Sequence, residues 1–187
     1  YKDKNVLDLW QHFNTVLLRL SFDGIGAQSE YIRKGQVWKD SESQFTKLRL
    51  FAPHVKVMIY TCISVLNCYH ITTAVDYWIE KKMLHKPLGI RFSILDAPSC
   101  YNLKILNKVE RVNLIVHYQN WLKKLKVEVS SDLYQALAEE FNGLIKYISN
   151  EEYLAERKEF VKITKDLDKS RNEDFVSLFP ELSSLFD

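Results

Sequence analysis

The chain has 187 residues, 47% of them hydrophobic, enough for one domain, or part of one with an appendage, around a buried core. Its 26 basic and 24 acidic residues leave a formal charge of +2, so no global electrostatic pull toward nucleic acid or an anionic membrane is expected. No apolar run reaches the roughly 18 residues of a membrane-spanning helix, no secretory leader is recognisable, and Cys62, Cys68 and Cys100 are too few and too scattered for a disulfide framework; a cytoplasmic protein is the expectation.

Residues 5–13 place Val6, Leu7, Leu9, Trp10 and Phe13 at helical spacing. Residues 16–20 form a short strand, apolar on consecutive positions except Arg19, the pattern of a parallel strand covered on both faces. Ser21-Phe22-Asp23-Gly24 closes it in a polar loop, where Gly24 and Gly26 permit positive φ or the close approach of another group. No helix start of the dinucleotide-binding type follows this Gly-x-Gly. Ser41 to Gln44 has capping-box form and opens a helix with Phe45, Leu48 and Ala52 inward; it runs to about Phe51 and stops at Pro53. Residues 55–62 are a second strand and 63–67 its carboxyl-end loop. Thr72 or Thr73 caps the next helix, with Val75, Trp78, Ile79 and Met83 inward and Pro87 and Gly89 as its stop. A third strand, 90–95, ends in Asp96-Ala97-Pro98-Ser99. Strand and helix alternate, which is a parallel βαβαβ unit, and ligands of such sheets sit beyond the carboxyl ends of the strands, near Ser21, Asn67 and Asp96.

Past about residue 103 the strand signal disappears. One helix carries Val112, Ile115, Val116 and Leu122; a second, capped by Ser131 or Asp132, carries Leu133, Leu137, Phe141, Leu144 and Ile148; a third carries Tyr153, Phe160, Ile163 and Leu167. These stripes are core. The tail, with Phe175, Leu178, Phe179, Leu182 and Phe186, is apolar enough to dock back on the body. The chain divides into an α/β part, 1–103, and a helical extension, 104–187.

Ser21-Phe22-Asp23-Gly24 at a strand end, then Glu30-Tyr31-Ile32-Arg33, a glycine, Trp38 and an amphipathic helix, resembles the later half of the core barrel of radical S-adenosylmethionine (radical SAM) enzymes, in particular the subgroup with a C-terminal twitch domain. Residues 55–67 and 90–98 continue the resemblance, and it returns in Leu167-Asp168-Lys169-Ser170-Arg171-Asn172 and Phe179-Pro180-Glu181-Leu182. It implies an α/β fold, a partial parallel (β/α) barrel (a partial TIM barrel) followed by a mainly helical extension. It implies S-adenosylmethionine as cofactor, with Ser21 and Arg33 at its carboxylate and Asn67 facing its ribose. It also implies an iron-sulfur cluster, the metal-binding [4Fe-4S] group whose electron breaks the sulfonium bond to give a 5′-deoxyadenosyl radical. The three cysteines that hold that cluster, spaced CxxxCxxC, are absent here, so the chain is expected to be the C-terminal portion of a longer enzyme, missing the N-terminal half of the barrel and inactive alone. No cysteine after Cys100 offers an auxiliary cluster in the extension, which is expected to cap the barrel mouth or dock a substrate, a peptide being one class.

Taken without that resemblance, Arg33 is a solvated surface arginine, Ser21 caps its own backbone, Asn67 is a turn residue and Asp23 pins its own glycine turn. Cys62 and Cys68, with His70, are not spaced as zinc ligand pairs are, so no metal site is expected; no Ser/His/Asp set, Walker loop or HExxH suggests another activity. The competing expectation is a non-catalytic α/β plus helical module that binds a protein partner or a small anion. Catalytic residues, substrate, product and oligomeric state carry no sequence signal.

Overall fold

The computed structural model describes residues 5–84, 89–150 and 156–187. Three strands, β1 (Leu17–Ser21), β2 (Lys56–Ile63) and β3 (Ile90–Ile94), pair in parallel in the order β1-β2-β3. The fold class is α/β as expected, with a small sheet and a large helical complement. Strand order follows chain order, so the winding never reverses and the crevice of a doubly wound sheet does not arise.

Before β1 comes α1 (Val6–Trp10), capped by Asn5, whose Oδ1 accepts from the Leu7 amide at 3.0 Å. It is shorter than the apolar spacing predicts, and Phe13 lies beyond it, 60% exposed. Two helices, α2 (Gly26–Ile32) and α3 (Trp38–Phe51), connect β1 to β2, and α4 (His70–Glu80) connects β2 to β3. The Tyr77 hydroxyl of α4 donates to Glu42 of α3, and its ring stands 6.0 Å from that of Trp38, so the two helices lie side by side on one face of the sheet. Leu20, Ile59 and Ile90 align across the strands on one face, while Ser21, Tyr60 and Arg91 align on the other.

Four expectations need correction. The stripe on the first helix of the extension is not core at Val112 and Val116, which are exposed; Leu114, Tyr118, Trp121, Leu122 and Leu125 are buried on that helix. β1 is not covered on both faces: exposed and half-buried residues alternate along it, because it has one neighbouring strand and Leu17, Arg19 and Ser21 face outward. The helix expected from Ser41 begins at Trp38, whose amide donates to Glu30 Oε1 at 2.8 Å, while the Ser41 hydroxyl receives the Gln36 amide at 3.3 Å. The following helix begins at His70 rather than at a threonine cap, and the Thr72 hydroxyl donates back to the Tyr69 carbonyl at 3.1 Å. Pro87 and Tyr153 lie outside the described residues.

After β3 the chain makes two 3-10 turns (Ser99–Tyr101 and Leu103–Ile105), then α5 (Lys108–Glu128), α6 (Ser131–Ile148), α7 (Glu156–Arg171), α8 (Phe175–Leu178) and a final 3-10 turn (Pro180–Phe186). A reciprocal capping box starts α5: the Asn107 side chain receives the Glu110 amide at 3.0 Å and the Glu110 carboxylate the Asn107 amide at 2.8 Å. One apolar cluster runs from Phe22 and Ile59 through Trp78, Tyr118 and Phe141 to Phe160 and Phe175, so the helical extension shares its core with the sheet. Each such side chain contributes about 1.5–3 kcal/mol on burial. Among the described residues no helix is long and apolar enough to cross a membrane.

Candidate functional site

The carboxyl ends of all three strands converge on one set of loops, and their polar groups are built into a bracket. Phe22 hands the loop on from β1, its amide donating to Tyr60 O at 3.1 Å and its carbonyl receiving the Thr61 hydroxyl at 2.8 Å. Asp23 follows, 5% exposed. One of its oxygens accepts Arg33 Nε at 2.7 Å and the other accepts the Cys62 amide at 2.8 Å. Asp23 therefore does not pin its own turn; it joins β1, β2 and the end of α2. That helix is not evident in the sequence, yet it begins at Gly26, whose φ of +55° suits glycine. Gly24 is fixed by space instead: a Cβ there would lie 2.9 Å from the His70 ring, whose Nε2 accepts the Ile25 amide at 3.2 Å.

Arg33 projects from the end of α2 with its side chain 40% exposed. Only its Nε is committed, so among the described residues the outer edge of the guanidinium keeps its donors. Ser21 stands exposed at the end of β1, with no direct hydrogen bond to Arg33 among the described residues. Asn67 is fully enclosed: its amide nitrogen donates to Asp23 O and Cys62 O, both at 2.9 Å, and its oxygen accepts the Ser64 amide at 2.8 Å. With both donors spent on backbone it braces two strand ends and presents no amide proton to a ribose diol. Asn102 does similar work after β3, donating to Leu95 O and to the Tyr147 hydroxyl at 2.8 Å each while accepting the Lys104 amide at 2.9 Å.

Beside this bracket is a cavity of about 260 Å³ whose walls include Asp23, Tyr31, Cys62, Leu95, Tyr101 and Arg171. Its far wall is α7, which neither spacing nor composition connects to the strand ends. The two are tied by Asp168, which accepts the Tyr31 hydroxyl at 2.8 Å and the Phe175 amide at 3.0 Å; Lys34 pairs with Glu173, and Gln28 donates to Leu178 O at 3.3 Å. Burial, then the bond to Asp168, pushes the Tyr31 hydroxyl far above its usual range and keeps it a donor. Burial raises the Cys62 thiol as well, against the opposing bond to Ser93, so the thiol stays protonated at neutral pH. Cys68 is buried and donates to Val65 O at 3.2 Å. No three His, Cys, Asp or Glu side chains gather as metal ligands among the described residues, so these positions do not fit an iron-sulfur cluster.

The chain matches no known family, no curated protein and no solved structure.

Proposed function

We propose that this chain is the cofactor-orienting C-terminal portion of a radical SAM enzyme of the twitch-bearing subgroup. The observation that carries this reading is the Asp23–Arg33 pair at the carboxyl end of a singly wound parallel sheet, which leaves the outer edge of the guanidinium open. Single winding with the connecting helices α3 and α4 on one face resembles the arrangement of one arc of a (β/α) barrel. A cation at the strand ends is where such an arc meets its ligand.

S-adenosylmethionine, when bound, supplies a sulfonium carbon–sulfur bond that a one-electron reductant breaks. The chain's own residues bind and orient. Asp23 holds the Arg33 guanidinium by Nε, so the remaining edge offers two parallel donors to a carboxylate. The exposed Ser21 hydroxyl, on the same sheet face as Tyr60 and Arg91, adds a donor from the end of β1. Asn67 serves by fixing the carbonyls of Asp23 and Cys62, which sets the position of the carboxylate that in turn sets Arg33. The cluster is no part of what these residues hold, and its electron enters from elsewhere in the proposed enzyme.

Calorimetric titration of the chain with S-adenosylmethionine tests the reading. Saturable binding is expected, and Arg33→Ala weakens it about tenfold or more, the loss of one charge-assisted carboxylate contact. No binding to the unaltered chain, or equal affinity in the variant, removes Arg33 from a cofactor site and leaves the non-catalytic binding module in its place.

A further inference from the structure

The charges around the cavity are unequally spent. Asp23 accepts from Arg33 and the Cys62 amide, and Asp168 from Tyr31 and the Phe175 amide, so both carboxylates have their oxygens occupied. Arg171 also lines the cavity, with its side chain 27% exposed. Its one ion-pair partner among the described residues, Glu173 Oε2, stands 3.9 Å away, beyond hydrogen-bond reach, and that oxygen is buried with no hydrogen-bond partner. Tyr101 supplies a second unspent donor: its ring packs on Phe160 at 5.8 Å, while its hydroxyl bonds to no group among the described residues. The two lie within electrostatic reach, since burial and the Cys100 thiol raise the Tyr101 phenol and Arg171 opposes them. The other walls combine apolar Leu66, Leu95 and Leu167 with the hydroxyl residues Ser64 and Thr164. An entering group gains most by bringing acceptors.

We infer that this cavity binds a small organic carboxylate, held by the Arg171 guanidinium and the Tyr101 hydroxyl with its apolar part against Leu66, Leu95 and Leu167. As the substrate's anchoring point it rests on the cofactor reading above; as a binding site it rests on its own donors. A monoanion fits better than a phosphate, because Asp23 lines the cavity, with Asp168 on the Tyr31 hydroxyl and Glu173 3.9 Å from Arg171, and these carboxylates would repel a second negative charge. Arg33 is not among the walls, so the two arginines serve different groups. At about 260 Å³ the cavity lies below the usual range of ligand pockets, which suits a free acid of amino-acid size or the carboxylate end of a peptide.

Amide NMR titration of the 187-residue chain tests this with four probes: 4-methylpentanoate, its amide, a tripeptide ending in a free leucine, and the same tripeptide amidated. The acid, and not its amide, should shift the signals of Cys62, Leu95 and Leu167. A matching response to the free-ended tripeptide alone of the pair identifies a peptide terminus as the source, and its absence identifies a free acid. Arg171→Gln should weaken the responding acid about tenfold, and Tyr101→Phe, which keeps the ring on Phe160, about threefold. S-adenosylmethionine affinity should be unchanged in both variants. Equal response to acids and amides overturns the proposal, as does no response at those residues. Loss of S-adenosylmethionine binding in Arg171→Gln overturns it too, by giving the cavity to the cofactor. Failure of the cofactor reading shows separately, as absent S-adenosylmethionine binding with carboxylate binding intact.

Discussion

The two edges of the sheet are finished differently. At β3 the chain seals the edge itself: Glu140 of α6 accepts the Phe92 amide at 2.8 Å and Arg91 Nη1 at 2.5 Å, and Phe141 packs its ring 5.2 Å from that of Phe92. At β1 the bonds of Val16 and Phe22 run inward to β2, so by alternation Leu17, Arg19 and Ser21 turn their backbone groups outward, and Leu17 is 50% exposed. A protected edge and an unprotected one on so small a sheet teach that its backbone is covered by the chain's own side chains on one side and left bare on the other. The polar strand ends lie between them.

Asn67→Ala should have the largest effect, because it separates the strands before either edge matters. Two buried carbonyls and the Ser64 amide lose their partner, and the unfolding free energy in urea should fall by about 3 kcal/mol. Glu140→Ala breaks the contrast itself by unsealing β3. A loss of about 2 kcal/mol is expected, with Glu140→Gln recovering part of it through the Phe92 amide; equal loss in the two variants would assign the effect to the Arg91 pair alone.

The pH response sharpens the comparison. Burial holds His70 below its ordinary value of 6.5, with the Ile25 amide and Glu181 pulling the other way, and burial lowers His117 as well. A folded state that keeps imidazoles neutral binds fewer protons than the unfolded chain. The stability these groups contribute is therefore present above pH 6.5 and lost as the pH falls through that value toward the lower folded ones. Thermal melts between about pH 7.5 and 5.5 should show a falling midpoint, and His70→Gln should flatten the part of the fall that belongs to the loop after β1. The smallest effect belongs to Leu17→Lys, which should change stability by no more than about 0.5 kcal/mol; a larger loss would mean that the β1 edge is covered in solution.

The sequence disclosed whatever depends on local period. Alternation marked β2, the short apolar runs marked β1 and β3 to within a residue, and Pro53 marked the end of α3. It concealed α2, because seven residues opening Gly-Ala-Gln-Ser carry too few apolar positions to show a helical stripe. Of the candidate residues, Ser21 ends β1 as strand-end logic puts it, and Arg33, placed only by the resemblance, lies at the end of α2; the direction of the Asn67 amide depends on the Asp23 and Cys62 carbonyls, which only the paired strands bring together. Asp168, Arg171 and Tyr101 carry no local mark of their role. Tyr101 lies just past β3, where its carbonyl accepts the Val65 amide at 2.9 Å, but α7 meets the strand ends only through packing between residues far apart in the chain, as in the Tyr31–Asp168 bond.

That bond spans 137 positions, and it has a consequence for the order in which the molecule matures. A ribosome delivers β1, α2 and Arg33 well before the partners that fix α2, namely Asp168, Glu173 and Leu178. Contacts so distant in sequence form late, after the loop-closure entropy of everything between them has been met. The nascent chain thus carries Arg33 on an unanchored helix until residues 168–178 have emerged, and a chain cut short soon after residue 150 would hold most of the core residues around the sheet while α2 lacks its partners.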